Sequence, residues 1–472
     1  MLISRRQLLK SGLGATATLV VGSAIPAILE NPAFAAVPVQ TLNFRFTDAI
    51  KEMVTHEAGN NEATCYFWCL KEDHLAFPDV PGPNIFATYG ERIQIILTND
   101  LDEPHAFFIP GIFNSGPIAP GKTVVRSFVA IRTGTFLYYD NLNAPVNRVM
   151  GLHGAFIVMP RRPIGLNRMT PYLVPTPAVQ RLFNDLGRAS WWPGLTWEQG
   201  ATNPPHDDGT PAADTSPFRQ WIWVLHQASP KLFAEVGSLA PGQLMSPAAF
   251  MNKFLRDPFV ATSNDLRVVG TTTEFNYKPQ FFTLGGQSGH FSHNDPALCP
   301  NAYVGEPSLV RVLNAGLFTH SCHIHANHVY VLCVNNQIRT NLWWVDTFTA
   351  HPMDTWDWLV PYMRPPDIPN VRGIGRADEP MTTLAGGKTY PPIEEMNTFI
   401  PPLGTQAKDP SGNPVGLEMR MSPLCFPMHD HSEPTQVAQG GNYNCGLVSG
   451  IVFLGDRNRP GGPVTFPGMF PG

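Results

Sequence analysis

Charge is scarce in this chain. Only 15% of its 472 residues are Asp, Glu, Lys or Arg, and the formal balance is −5. No basic stripe offers a footprint for nucleic acid or an anionic membrane surface. Cysteine is also sparse, at seven. An odd number leaves at least one thiol without an internal partner. There is no zinc-ribbon spacing, no phosphate-cradling G-x-x-x-x-G-K and no G-x-S-x-G elbow. No stretch reads as a membrane span. The run Ser11 to Leu29 comes nearest, but it is too polar and too rich in glycine. Long helices are disfavoured as well, because 48 prolines and 41 glycines punctuate the chain.

A core is nevertheless available, since 43% of residues are hydrophobic. The length predicts two or three domains. The first 36 residues stand apart from the fold. Ser4-Arg5-Arg6-Gln7-Leu8-Leu9-Lys10 matches the twin-arginine export pattern, and Ala33-Phe34-Ala35 supplies small residues for cleavage. The expected partner of this segment is the twin-arginine export machinery. The mature protein is then expected in the periplasm or outside the cell, with no membrane span.

Two stretches share one grammar. Pro81 to Asn99 runs through Pro-Asn, a short apolar strand, Gly90-Glu91 and an alternating strand that ends in Asn99. Pro300 to Asn314 repeats it, with Gly305-Glu306 and a final Asn314. Each copy also closes alike. Tyr139-Asp140-Asn141 precedes a strand that begins near Gly151, and His429-Asp430-His431 precedes one near Gly446. Short strands with turn residues between them predict an all-β fold of two sandwiches. The units are placed at 38–160 and 215–457, joined by a connector over 161–214 and followed by a tail over 458–472. The second unit carries an N-terminal insertion. Gln220–Leu225 reads as a strand in it, and Pro247–Leu255 as a short helix.

Histidine concentrates at two places. One is His320-Ser-Cys-His323-Ile-His325-Ala-Asn-His328, and the other is Pro427-Met-His429-Asp430-His431. Residues two apart on a strand share a face. Two H-x-H pairs can therefore present four imidazoles, His323, His325, His429 and His431, to one first-row metal such as Cu, Zn, Fe or Ni. Asp430 and Asp140, the centres of their triplets, should face away from their neighbours. His328 and His153 read as structural. The loop Gly286–Asp295, with His290 and His293, is either a substrate loop or a solvated turn. Cys425 and Cys445 flank the second histidine pair, in position to staple it.

These features together resemble the multicopper oxidases, a family of tandem cupredoxin-like Greek-key β-sandwiches. The likeness covers nearly all of the chain after the leader. His320, His323 and His325 keep the offsets of the family's third copper motif, with Ser321 in its proline position. His429 and His431 keep the outer pair of the fourth. The departures are equally specific. Asp430 stands where the family has the cysteine of its blue copper, and Thr435 where it has a further histidine. His320, similar to a blue-copper ligand, thus lacks its partners. In the first unit, Glu103-Pro104-His105 carries one displaced histidine, and Tyr139-Asp140-Asn141 replaces an H-x-H pair.

The resemblance implies an exported copper protein with a mono- or dinuclear histidine site and no blue copper. It would act as an oxidoreductase on O2 or a small molecule. Tyr139, Asp140 and Asp430 would be candidates for proton or orientation work, and His320 a further metal ligand. Two alternatives are a copper-free envelope scaffold on the same fold and a copper-binding or tolerance protein without turnover. Two-domain relatives further imply a trimer with the site between subunits.

Overall fold

Residues 39–54, 64–160, 169–186, 218–255, 277–362 (apart from 294, 305–306 and 326), 424–432, 435 and 445–456 are described by a computed structural model, with five short strand segments between 383 and 465. Residues 1–36, read from the sequence as an export leader, most of the segment 161–214 read as a connector, and most of the tail 458–472 lie outside the described residues.

The alternating segment Arg92–Asn99 is a strand whose inward residues Ile93, Ile95 and Leu97 are completely buried. It shows how the first unit forms, with one apolar face per strand turned to a shared core. That unit contains β1 (Val39–Glu52), β2 (Thr64–Glu72), β3 (Ile85–Thr88), β4 (Arg92–Asn99), β5 (Phe108–Ile109), β6 (Phe113–Asn114), β7 (Thr123–Val129), β8 (Gly134–Tyr139) and β9 (His153–Met159). They make two sheets, in the orders β2-β1-β4-β7 and β3-β9-β8-β5-β6. β1 runs parallel to β4, and β3 to β9.

The second unit repeats this plan. Its strands are β10 (Arg219–Ala228), β11 (Phe281–Leu284), β12 (Asn301–Val304), β13 (Ser308–Asn314), β14 (His320–Ile324), β15 (Val329–Val334), β16 (Gln337–Val345), β17 (Thr347–Ala350) and β18 (Thr355–Val360). Two short hairpins follow, β19 (Thr383–Leu384) with β20 (Lys388–Thr389) and β21 (Gln406–Lys408) with β22 (Pro414–Glu418). Then come β23 (Leu424–Asp430), β24 (Val448–Asp456) and β25 (Val464–Thr465). The main sheets are β11-β10-β13-β18-β15-β16 and β12-β24-β23-β14-β17. Again β10 is parallel to β13, and β12 to β24. The chain is therefore all-β, a tandem of cupredoxin-like sandwiches.

The Gln220–Leu225 strand is β10, the counterpart of β1. The stretch read as an insertion thus supplies a central strand of the second unit. What is truly inserted after it is helical. Ser229 caps the helix Pro230–Gly237, its side chain accepting from the Leu232 amide. Ser246 does the same for Pro247–Phe254. These helices drop Leu232, Phe233, Val236, Phe250 and Phe254 into the core of the first unit.

Polar contacts tie the units together. The buried Arg311 donates to Thr135 Oγ1 at 2.8 Å and pairs with Asp357 at 3.3 Å, and Tyr172 donates to Asp357 at 2.8 Å. Arg148 donates to the carbonyl oxygens of Ala315 and Gly316 at 2.7 and 3.0 Å. His153 and His226 lie with ring centroids 4.5 Å apart and planes tilted by 46°, and bond the Arg148 and Val149 carbonyls, so His153 is structural. Burial lowers the pKa of both, that of His153 to about 4. The Gly286–Asp295 loop is fastened down too. Ser288 donates to the Met53 carbonyl, Ser292 to that of Val448, and Gln287 to Asp295 at 2.6 Å.

Candidate metal centre

β14 and β23 are antiparallel neighbours, and their register sets His323 opposite His429, Cys322 opposite Asp430 and Ile324 opposite Met428. Along β14 the burial alternates, with His320, Cys322 and Ile324 inside and Ser321 and His323 turned outward. Beyond the paired residues the ladder continues through His325 N to Pro427 O at 3.0 Å and His431 N to Ser321 O at 2.7 Å. The outer face of two adjacent strands thereby carries all four histidines of the H-x-H pairs.

Three of them converge. One nitrogen from each of His323, His325 and His429 lies within 4.8 Å of the others. His325 Nε2 and His429 Nε2 are 3.1 Å apart. Metal–nitrogen bonds of about 2.0–2.1 Å in a tetrahedral shell make such an edge about 3.3 Å. The orientation of two rings is fixed from behind. His323 Nδ1 lies 3.0 Å from the Asp346 carbonyl and 2.9 Å from Thr347 Oγ1, and His429 Nδ1 lies 3.1 Å from the Asp430 carbonyl. With Nδ1 engaged, each ring keeps Nε2 as the open lone pair. His431 stands at the margin, its ring 5.4 Å from that of His323 and 5.8 Å from that of His429. Burial and the neighbouring His323, His429 and His431 lower the pKa of His325, so its ring resists protonation and stays available as a ligand. An all-imidazole set fits a first-row transition metal.

The inner face of the same strands is a closed polar knot. Asp430, fully buried, takes His320 Nδ1 at 2.6 Å, Ser321 N at 2.7 Å, Ser432 N at 3.1 Å and the Thr435 hydroxyl. Gln227 uses its oxygen to accept Leu317 N at 2.8 Å, so its amide nitrogen donates to His320 Nε2 at 2.6 Å. Both ring nitrogens of His320 are therefore used, with the proton on Nδ1 pointing at Asp430. These contacts hold the Asp430 carboxyl below its usual range against the opposing effect of burial. Two expected roles meet this geometry. His320, expected as a further metal ligand, has both ring nitrogens engaged inside the knot, and the Asp430 side chain, expected in proton or orientation work, faces away from the histidine cluster as its place between two outward histidines predicts, and braces the strands.

The first unit holds the same knot. His105 Nδ1 meets Asp140 Oδ2 at 2.6 Å, Asn147 donates to the same oxygen at 2.8 Å, and Leu142 N to the other at 2.9 Å. Asn99 and Asn314 brace the two copies alike. Each amide nitrogen donates to the carbonyl four residues on, at 2.7 and 2.8 Å, and each oxygen accepts the amide two residues on, at 3.0 Å. His105 is thus the counterpart of His320 and not a displaced member of an H-x-H pair. Burial alone would lower its pKa, but Asp140 and Glu103 more than reverse this. Asp140 is committed to this knot, and Tyr139 packs edge-on against Phe108 at 5.4 Å. Neither belongs to the three-histidine cluster. The sequence does carry a signal for the knot, a histidine six residues after each strand-ending asparagine. Nothing in it marks Gln227 as a partner of His320.

His328, set beyond the end of β14, stacks on Trp344 at 5.5 Å and stays outside the cluster. Cys425 and Cys445 are not bridged to each other. The Cys425 thiol contacts Cys299, while Cys445 packs on the core of the first unit.

The comparisons with known proteins agree with this architecture. The multicopper oxidase family profile matches residues 78–163, in the first unit. The copper-containing nitrite reductase of Pseudomonas chlororaphis is 28% identical over 134 residues, a match covering 26% of this chain and about a third (34%) of that protein's length. The blue copper oxidase of Nitrosomonas europaea superposes with a TM-score of 0.50 at 13% identity, over 90% of this chain and 89% of that one. A further solved structure, the multicopper oxidase mgLAC, gives 0.47 at 14% identity over 88% and 86%. The fold is that of tandem cupredoxin-like sandwiches, and the histidine cluster is a candidate metal centre on it. The chain is similar to the multicopper oxidases over residues 78–163 and carries aspartates at its two knot centres.

Proposed function

We propose that this chain is a copper-dependent oxidoreductase whose copper is held by His323, His325 and His429, with His431 beside them. The observation that carries the reading is the convergence of three imidazole nitrogens within 4.8 Å on the outer face of β14 and β23. The family match and the fold support copper as the metal. Bound copper would supply one-electron redox chemistry. The protein's part is to orient the rings. The Asp346 carbonyl and Thr347 hydroxyl hold His323, the Asp430 carbonyl holds His429, and the buried Asp430–His320 knot fixes the spacing of the two strands from behind.

With Asp430 where a blue-copper thiolate would stand, this chain has no soft sulfur donor at that position. The substrate, O2 or a small molecule, then has to reach the metal directly. The accessible side of His325 and His431 leaves that approach open. The same open side leaves room for a neighbouring subunit in a trimer, which sizing of the mature protein would test. Among the described residues no helix is long and apolar enough to cross a membrane. Export by the twin-arginine route to the periplasm is part of the proposal. A second reading, copper binding without turnover, is favoured by one observation, the closed Asp430 knot that stands in place of an electron-entry centre.

The deciding experiment is metal content and an EPR spectrum of the copper-loaded mature protein, beside a His325→Ala/His429→Ala variant, followed by oxygen-uptake screening. About one copper per chain, no intense blue absorption and loss of the signal in the variant are expected. A wild type that takes up no copper overturns the metal reading. Copper without oxygen uptake or substrate turnover selects the second.

A further inference from the structure

Gly450 on β24 has no side chain, and two thiols meet over it. A methyl group placed there would lie 3.4 Å from Cys425 Sγ and 3.5 Å from Cys299 Sγ. The two cysteines come from opposite sides of β24. Cys425 lies on β23, opposite Val452, and Cys299 lies two residues before Asn301 of β12, which is opposite the same Val452. The backbone around Cys299 is anchored. Its amide donates to the Asp295 carbonyl at 2.7 Å, Val452 N donates to Pro300 O at 2.8 Å, and Trp223 Nε1 and Ser449 Oγ both donate to Leu298 O. Cys299 is buried and Cys425 exposed.

We propose that Cys425 and Cys299 form a thiol–disulfide exchange site, in which the exposed Cys425 attacks a low-molecular-weight disulfide and the buried Cys299 resolves the product into an internal bridge. The asymmetry of the pair suits these two roles. A hydrogen bond from Cys299 lowers the pKa of Cys425 to about 7, the range in which a thiol attacks best at neutral pH. The same contact, with burial, pushes the Cys299 thiol up, so it keeps its proton until the mixed disulfide has formed. Burial also pushes up Cys65, Cys69, Cys322, Cys333 and Cys445, which serve as internal controls.

The steps balance. The Cys425 thiolate displaces one half of an external disulfide RSSR, giving Cys425–S–SR and RS−, which takes up the proton Cys425 lost. Cys299 then attacks the Cys425 sulfur, releasing the second RSH and leaving Cys299–S–S–Cys425. Two protein thiols are oxidised, and one external disulfide is reduced to two thiols. The bridge closes the loop that contains His323 and His325 and pins the strand that carries His429. It is independent of the copper assignment, because neither cysteine belongs to the histidine cluster.

The test treats the full-length mature protein, reduced and then exposed to oxidised glutathione at neutral pH. Free thiols are alkylated at intervals and mapped by peptide mass spectrometry, for wild type, Cys299→Ser and Cys425→Ser. The wild type is expected to lose two alkylatable thiols and yield a Cys299–Cys425 peptide. Cys299→Ser should stall with glutathione on Cys425, and Cys425→Ser should leave Cys299 reduced. Thermal denaturation gives a second readout, since closing so long a loop should raise Tm by about 5 °C or more in the oxidised wild type. A wild type that stops at the glutathione adduct overturns the proposal. So does bridging of Cys425 to any other cysteine, or equal reactivity of all seven thiols.

Discussion

At position 430 a carboxylate stands between two outward-facing histidines, and its oxygens take hydrogen bonds from His320, Thr435 and the amides of Ser321 and Ser432. A buried carboxylate so engaged is a structural group, and an amide in its place sets an NH2 donor against either His320 and Thr435 or the Ser321 and Ser432 amides. Asp430→Asn is therefore expected to lower unfolding free energy by about 3 kcal/mol in urea titrations while leaving copper per chain unchanged. Loss of copper in a folded Asp430→Asn protein would instead make Asp430 a ligand. The opposite pattern is expected for His429→Ala. Copper affinity should fall by more than the roughly 10–100-fold that loss of an outer partner costs, with little change in the urea midpoint. Thr347→Ala, which removes one contact behind His323, belongs at the lower end of that range, about tenfold, by competitive chelator titration.

Elements explain why these residues meet. β14 and β23 follow different turns nearly a hundred residues apart in sequence, yet the second unit's sheet makes them neighbours with His323 opposite His429. The period-two alternation of a strand then separates two kinds of chemistry by one residue, with imidazoles outside and the aspartate knot inside. Gln227 on β10 reaches the knot because Gly316 leaves it room. A Cβ at Gly316 would lie 2.0 Å from Gln227 Oε1 and 2.3 Å from its Nε2. Gly316→Ala should displace Gln227 from both His320 and the Leu317 amide and cost about 1–3 kcal/mol. Unchanged thermal stability, with the His320 ring signals unmoved in NMR spectra, would show that the glutamine is dispensable.

Across the whole molecule the interface between units carries the pH response. His153 and His226 are buried, in ring contact and held neutral, His153 at a pKa of about 4. The unfolded chain takes up protons on these groups near the ordinary value of 6.5, before the folded protein does. Stability is therefore full above about 6.5 and falls as the pH drops towards 4, by about 3 kcal/mol for His153 alone. His105 acts in the other direction. Its raised value adds stability below 6.5 that is lost as the pH rises through that value. Urea midpoints measured from pH 4 to 8 should show the acid-side loss, and His153→Gln should flatten it. A His153→Gln profile identical to wild type would remove the interface from the explanation.

The sequence by itself determined the all-β class, the two-fold repeat and the two H-x-H pairs, because each is written in local patterns. These are apolar alternation, Gly-Glu turns, strand-ending asparagines and histidines two apart. It also led to the expectation that Asp430 and Asp140 face away from their neighbours, since parity on a strand is a local property. Tertiary structure alone decided the rest. The register between β14 and β23 selects His323, His325 and His429 as the tight cluster and leaves His431 at its edge. The fold of β10 brings Gln227 to His320, and the path of β12 beside β24 brings Cys299 to Cys425. These contacts join residues 93, 104 and 126 positions apart in sequence. No local pattern encodes them, because they exist only once the sheets have closed and set which strand lies beside which.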